Sequence, residues 1–416
     1  MIRKILGTIG SRLLIMLFTI IVVICNSRYL GASGQGTAAL IQFGVLLVVA
    51  LNNFIGGGAV VYLSARIPAN KLALPAYSWS FLVAFMAYFV FKFTAIVPSE
   101  YALEVAFLGL LQSLFGFHLM VIMGSEHIKS YNTILSIQAL LLAGALLGFY
   151  FVDTPSIDHF IHALFVSFGG TFLLAFLLSW KRVFAGKWTI NKSEIRELWD
   201  LGKYGQSGNL LQMLTYRSNL VFLEKLSSNR SLVGIYSIGL YGSEAIWNIS
   251  KSLATIQYSR ISNMSDRNEI RALSLAFFHV SLIGTLFLVF IMLLIPDSFY
   301  TFVLGDEMVG IRIMLFYLAP GIIANACSGI LSHHFSGIGM PSKNTLSSGI
   351  ALAVTIVSAF ILIPYFGLIG AAMTASLAYS CQLLSLLFSF LAEEKTSQWS
   401  DFIPKKSSFH LLREAK

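Results

Sequence analysis

Four charged residues stand where charge is costly. Arg217, Glu244 and Lys251 fall inside predominantly apolar stretches, and Arg12 lies near the end of another. A charge at the centre of a bilayer costs about 2.5–3.5 kcal/mol on insertion scales, so it persists only where it faces protein or water. Counted from the ends of their stretches, Arg217 and Glu244 sit at similar depth, which allows a salt bridge. Lys251 follows Glu244 by two helical turns on nearly the same face. The chemistry open to Arg12, Arg217 and Lys251 is anion binding, because guanidinium and ammonium groups offer several donors to a phosphate. The plainer reading is a structural Arg–Glu pair with two cations snorkelling to the interface. Glu244 is also a candidate for ion coupling.

Amides form the second group. Asn52 and Asn53 precede Gly56-Gly57-Gly58, a run that permits a hinge or a close helix contact. Asn209, Gln212 and Asn219 recur at intervals of three and seven, one polar stripe suited to a wet cavity and to sugar hydroxyls. His118 and His162 read as isolated packed or hydrogen-bonded groups. The adjacent His333 and His334 point about 100° apart on a helix, which rules out a two-histidine metal site and favours an interfacial position. Cys25, Cys327 and Cys381 read as small packing residues. There is no P-loop, nucleophile elbow or HExxH. The expectation is a non-enzyme with no catalytic residue, no metal and no cofactor. A proton gradient, a sodium gradient or the membrane potential remains as the drive.

The elements that must position these residues are membrane helices. The chain of 416 residues is 56% hydrophobic and 11% charged, with a mean hydropathy of +0.78. Soluble domains carry about 25% charged residues. So few charges cannot cover a water-facing surface, and lipid is the solvent for most of the chain. Twelve spans are expected, over 5–25, 38–63, 75–97, 103–123, 132–152, 160–180, 204–223, 232–257, 273–295, 313–336, 345–364 and 368–391. The seventh and eighth are the least apolar. The first run lacks a cleavage site and reads as a membrane helix.

The formal charge of +9 comes from scattered residues, with no basic patch interleaved with aromatics, so nucleic acid is not an expected partner. Lys and Arg instead crowd alternate connections. One side holds Arg3, Lys4, Arg12, Arg66, Lys71, Lys129, the 181–203 cluster, Arg260, Arg267, Arg271, Lys343 and the tail. The other holds only Arg28, Lys92, Lys225, Arg230 and Arg312. The positive-inside rule then places both termini in the cytoplasm. In the 182–203 linker, Asn191 and Glu194 have capping-box spacing. Ile195, Leu198 and Trp199 share a face opposite Glu194, Arg196, Glu197 and Asp200, as in an amphipathic interfacial helix.

The spans divide into two sixes. At a shift of 212, Ser130, Asn132, Thr133 and Ser136 match Ser342, Asn344, Thr345 and Ser348, and Gly109 meets Gly321. Six spans per half give the copies one orientation, an arrangement typical of transporters. The expected organisation is therefore all-α: a six-helix bundle over 1–181, the linker 182–203, a second six-helix bundle over 204–392, a basic tail over 393–416, and a central cavity.

Two segments carry a family likeness. RYLGASGQGTAALIQFGVLLVVALNNFIGGGAVVYLSAR (28–66) has a Leu-Gly, a Gly-x-Gly turn and a glycine-bearing helix running to an arginine. YGQSGNLLQMLTYRSNLVFLEKLSSNRSLVGIYSIGLYGSEAIWNISKSLATIQYSRIS (204–262) has a "VGIYS" turn and a closing Arg-Ile-Ser. On these the chain resembles the polysaccharide-transporter branch of the MOP flippase superfamily, the O-antigen and capsule repeat-unit flippases. It departs from that pattern at Ser259, where a proline is frequent, and at Arg217-Ser218-Asn219, where an acid is frequent. The lipid II flippase branch usually has fourteen spans.

The resemblance implies a bacterial cytoplasmic (inner) membrane protein that translocates undecaprenyl-pyrophosphate-linked oligosaccharides by alternating access. Its implied partners are that lipid-linked substrate, membrane lipids, a glycan polymerase and a chain-length regulator. A drug or small-solute antiporter of the same superfamily is the alternative. A membrane glycan polymerase or ligase is a weaker one, because no large outer loop is present.

Overall fold

The computed structural model describes residues 2–186, 192–394 and 396–404, with side chains from Gly10 onward and that of Tyr204 excepted. The expected cap at Asn191, the side chains of Arg3 and Lys4, and the tail beyond 404 lie outside the described residues. The described chain is helical throughout, with no strand among the described residues. In hydrocarbon every backbone group must find its partner internally, and long apolar runs do so as helices.

The long elements are α1 (Ile2–Gly56), α3 (Ala69–Thr94), α4 (Ala102–Gly124), α5 (Ile128–Val152), α6 (Ile157–Val183), α7 (Lys192–Ser227), α8 (Arg230–Ile261), α9 (Arg267–Leu294), α11 (Ile311–Gly337) and α12 (Ser342–Glu393). Two short helices join them, α2 (Gly58–Ser64) and α10 (Asp297–Leu304). Among the described residues, eight helices are long and apolar enough to cross a membrane; α7 and α8 are not among them. This agrees with their low apolar content in the sequence.

Two expected pairs of spans are each merged in one element. α12 has 52 residues, about 78 Å as a straight helix against a hydrocarbon core of about 30 Å. Its break is at Gly367 (φ 53°), three residues after Pro364. A Cβ on Gly370 would lie 2.2 Å from the Leu362 carbonyl oxygen. Residues eight apart on a straight helix are about 12 Å apart, so the chain doubles back here. α1 breaks at Gly31 (φ 69°), a conformation that L-residues rarely adopt.

The contacts divide the chain into two compact units. The first comprises Met1–Leu210 with Val303–Glu307, and the second Leu211–Phe302 with Met308–Lys416. The division falls inside α7.

In the first unit, Val22, Ile41, Val48, Phe91, Val105, Leu146 and Phe160 form the main core. Polar groups join its helices. Gln138 Nε2 donates to Gln112 Oε1 and Thr171 Oγ1, both at 3.0 Å, and Ser167 Oγ donates to the Gln138 carbonyl at 2.7 Å. Tyr150 donates to Asn26 Oδ1 at 3.0 Å. The Glu307 carboxylate accepts from the Ala32 N–H at 2.8 Å, capping the arm that starts after the Gly31 break.

The linker expectation needs one correction. Lys192–Ser227 is a single helix, and the face it buries carries Glu194 and Leu198, not Ile195, Leu198 and Trp199. Burial of Glu194 is tolerated because Lys71 Nζ stands 3.7 Å from its carboxylate. Trp199 is half-exposed, stacked on Phe54 at 5.7 Å and set edge-on to Trp79. Gly202 closes this contact: a Cβ there would strike the Phe54 carbonyl oxygen.

In the second unit, Ala254, Ile270, Phe277, Ile330, Phe335, Leu386 and Phe390 form the core. The chain after α12 folds back on α9. Arg271 donates to Ser397 Oγ and Asp401 Oδ2, both at 2.6 Å, Arg267 pairs with Glu394 at 3.1 Å, and Phe402 packs on Phe278. His334 lies three residues before the end of α11. It is fully buried, with Nδ1 2.9 Å from Ser274 Oγ and Nε2 3.8 Å from Glu394. His333 beside it remains partly exposed.

Candidate functional site

The seventh and eighth spans bring Arg217 and Glu244 together as an ion pair through Arg217 Nη2 and Glu244 Oε1. Their side chains are 16% and 31% exposed, so the pair is screened yet open along one edge. The Arg217 guanidinium also lies 5.8 Å from the centre of the Tyr241 ring, within cation–π range.

A ring of polar aromatics surrounds this pair. Gln212 Nε2 donates to Tyr216 OH at 2.7 Å, and Tyr216 OH donates to Asn325 Oδ1. Tyr216 packs against Trp247 at 5.3 Å and Tyr379 at 5.2 Å, and the Trp247 indole donates to the Ile322 carbonyl at 3.2 Å. Asn219 is buried, with Nδ2 donating to Tyr236 OH at 3.2 Å and to the Ala371 carbonyl at 3.4 Å. Helices α7, α8, α11 and α12 therefore all hold the site. Glu244 and the Tyr241 ring hold the guanidinium while the interlocked rings and amides tie together the helices around it, and a fixed guanidinium is a stronger anion receptor than a mobile one.

The other sequence-derived residues are placed as follows. Lys251 is exposed on α8, about 10 Å along the axis from Glu244. Gln212 joins the Tyr216 network, Asn219 points into the helix packing, and Asn209 is exposed with Nδ2 3.4 Å from Gln206 Oε1. The three amides thus do not form one continuous surface. Arg12 is exposed on α1, its charge felt by Tyr131 on α5.

Asn52 is buried and accepts from Ser80 Oγ at 2.7 Å, and Asn53 is partly exposed. Gly57 (φ −93°, ψ −134°) separates α1 from α2, so the glycine run breaks the helix. Tyr216, Tyr236, Tyr241, Trp247, Asn325 and Tyr379 were not singled out in the sequence. The one local signal was the placement of Tyr216 beside Arg217. Among the described residues, no cluster of three or more His, Cys, Asp or Glu residues could hold a metal ion.

The fold is similar to that of several solved MOP-superfamily structures. The chain is similar in structure to one titled lipid II flippase MurJ, inward closed conformation, with a TM-score of 0.73, 16% identity, and coverage of 99% of this chain and 91% of that one. It is similar to an inward-facing multidrug resistance MATE family transporter, with a TM-score of 0.70, 13% identity, and coverage of 92% and 96%. It is also similar to a MOP superfamily transporter from Pyrococcus furiosus that has a binding pocket of reverse polarity, with a TM-score of 0.63, 15% identity, and coverage of 95% and 96%. No protein-family model and no curated protein matches the sequence. At these identities the likeness concerns the fold: a multi-pass helical membrane protein.

Proposed function

We propose that this protein is a flippase for undecaprenyl-pyrophosphate-linked oligosaccharide repeat units in the bacterial cytoplasmic membrane, with both termini in the cytoplasm. The observation that carries the reading is the Arg217–Glu244 pair, set among hydrogen-bonded aromatics within a membrane-spanning helix bundle. A cation buried at such cost marks a route for anions, and the pyrophosphate between lipid and glycan is the anion that must cross. Lys251 and Arg12 supply further positive charge nearer the cytoplasm. Alternating access, driven by an ion gradient or the membrane potential, exposes the site to one face and then the other. Glu244 is the candidate for coupling to a proton. A glycan polymerase and a chain-length regulator are the expected downstream partners.

The fold shared with the lipid II flippase MurJ supports this reading. The fold shared with MATE transporters supports a second one, a drug or small-solute antiporter. Deletion separates them. Loss of a flippase leaves lipid-linked repeat units on the cytoplasmic leaflet, whereas loss of an antiporter raises drug sensitivity and leaves the glycan intact. Accumulation of the lipid-linked units on the outer leaflet would contradict the flippase.

A further inference from the structure

Tyr241, Glu244, Asn248, Lys251, Thr255 and Tyr258 recur along α8 at intervals of 3, 4, 3, 4 and 3. That spacing keeps one line along a helix. Asn248, Lys251, Thr255 and Tyr258 are exposed, and Tyr241 and Glu244 are partly exposed. The line spans about 25 Å, from the Arg217–Glu244 pair towards the Arg260 end of the helix.

The rest of α8 is divided differently. Ser243, Trp247, Ser250, Ala254, Gln257 and Ile261 are buried against neighbouring helices. Ile249 (53% exposed) and Ile256 (52% exposed) follow Asn248 and Thr255 by one residue, and so lie about 100° further round. The helix therefore has a packed face, an apolar exposed face and, between them, an unbroken polar exposed line. A polar line containing an ammonium cannot lie against lipid tails, whereas Ile249 and Ile256 can.

We infer that this line is a glycan-binding track: Tyr241, Asn248, Thr255 and Tyr258 contact the sugars while Arg217 and Lys251 hold the diphosphate. The inference rests on the flippase reading and adds the sugar subsite to it. The residue types fit the task. Tyrosine rings offer flat apolar faces with a polar tip, the Asn amide both donates and accepts, and the Thr255 hydroxyl, which donates to the Lys251 carbonyl at 2.8 Å, is left to accept from a sugar hydroxyl. Among the described residues, the Asn248 and Lys251 side chains make no hydrogen bond or ion pair, so their donors are available to a ligand. The track contains no second acid after Glu244, so it does not repel a diphosphate moving along it.

The test uses the full-length protein in nanodiscs and two probes, farnesyl diphosphate and farnesyl diphosphate carrying a linear N-acetylglucosamine trisaccharide, long enough to reach from Asn248 to Tyr258. Wild type is expected to bind the sugar-bearing probe more tightly. Asn248→Ala, Thr255→Ala and Tyr258→Ala should each weaken that probe by about three- to tenfold and leave farnesyl diphosphate unchanged. Ile249→Ala and Ile256→Ala should alter neither. Equal affinity of wild type for the two probes, or equal weakening of both by the track variants, overturns the track. Farnesyl diphosphate binding that is indifferent to Arg217→Ala overturns the flippase reading itself.

A second measurement avoids reliance on weakened variants. Alkylation of Asn248→Cys should be slowed more by the sugar-bearing probe than by farnesyl diphosphate. Equal protection by the two overturns the track.

Discussion

In the first unit the paired polar side chains between the spans are neutral; the second has neutral networks too, but adds the Arg217–Glu244 ion pair inside its spans. His118 shows the neutral pattern. It is fully buried on α4, its two ring nitrogens meeting Tyr77 OH and Ser179 Oγ, which ties α4 to α3 and α6. His334 lies on the fourth span of the second half, one helical turn beyond the position that matches His118 at the shift of 212. Its neighbours are Ser274 on α9 and the charged Glu394 after α12, itself paired with Arg267. The same contrast separates the Gln112–Gln138–Thr171 ladder from the Arg217–Glu244 pair. Neutral networks join helices at little electrostatic cost. An ion pair costs more to bury and retains an outward field, so a pair set deep within the spans points to function there.

The largest effect is expected at Arg217. Arg217→Ala should abolish export and, by leaving Glu244 unpaired, destabilise the protein by about 3–5 kcal/mol. Thermal melting in detergent, alongside export corrected for protein level, measures both. The double variant Arg217→Met with Glu244→Met sharpens the contrast, because an apolar pair restores stability without restoring a charge. It should melt near wild type and still fail to export; recovered export would make the pair purely structural.

Next comes the Gly31 break. A Cβ there would lie 2.5 Å from the Glu307 carboxylate in a left-handed conformation. Gly31→Ala should therefore cost about 1–3 kcal/mol, read from the melting curve. In the neutral unit, His118→Ala should cost about 1–3 kcal/mol by leaving Tyr77 and Ser179 without their partner. Export per folded molecule should persist, and its loss would end the distinction between the units. The smallest stability change belongs to the exposed Lys251. Lys251→Ala should shift stability by less than about 0.5 kcal/mol while lowering export several-fold.

Much of this organisation was legible in the sequence. Hydropathy marked the apolar spans and the two weak ones, since each span is a local property of about 20 residues. The Arg217–Glu244 pair was legible because depth can be counted along each helix. The linker face was misjudged at Glu194, since a carboxylate reads as solvent-facing until Lys71, far away in the chain, is brought beside it. The repeat at Gly109 and Gly321 was visible as spacing, but its reason was not. Each is a point of close helix approach, against Val48 and Ser376.

The sequence by itself determined the solvent, the apolar runs and the presence of Arg217 and Glu244 within the two weak ones, because the cost of placing a residue in hydrocarbon depends on that residue and its near neighbours. Only the tertiary structure decided what those charges meet. Tyr216, Trp247, Asn325 and Tyr379 lie on four helices, and packing alone assembles them beside the arginine. It also decided that the line from Tyr241 to Tyr258 stays uncovered, because an exposed face is defined by the helices that do not pack on it.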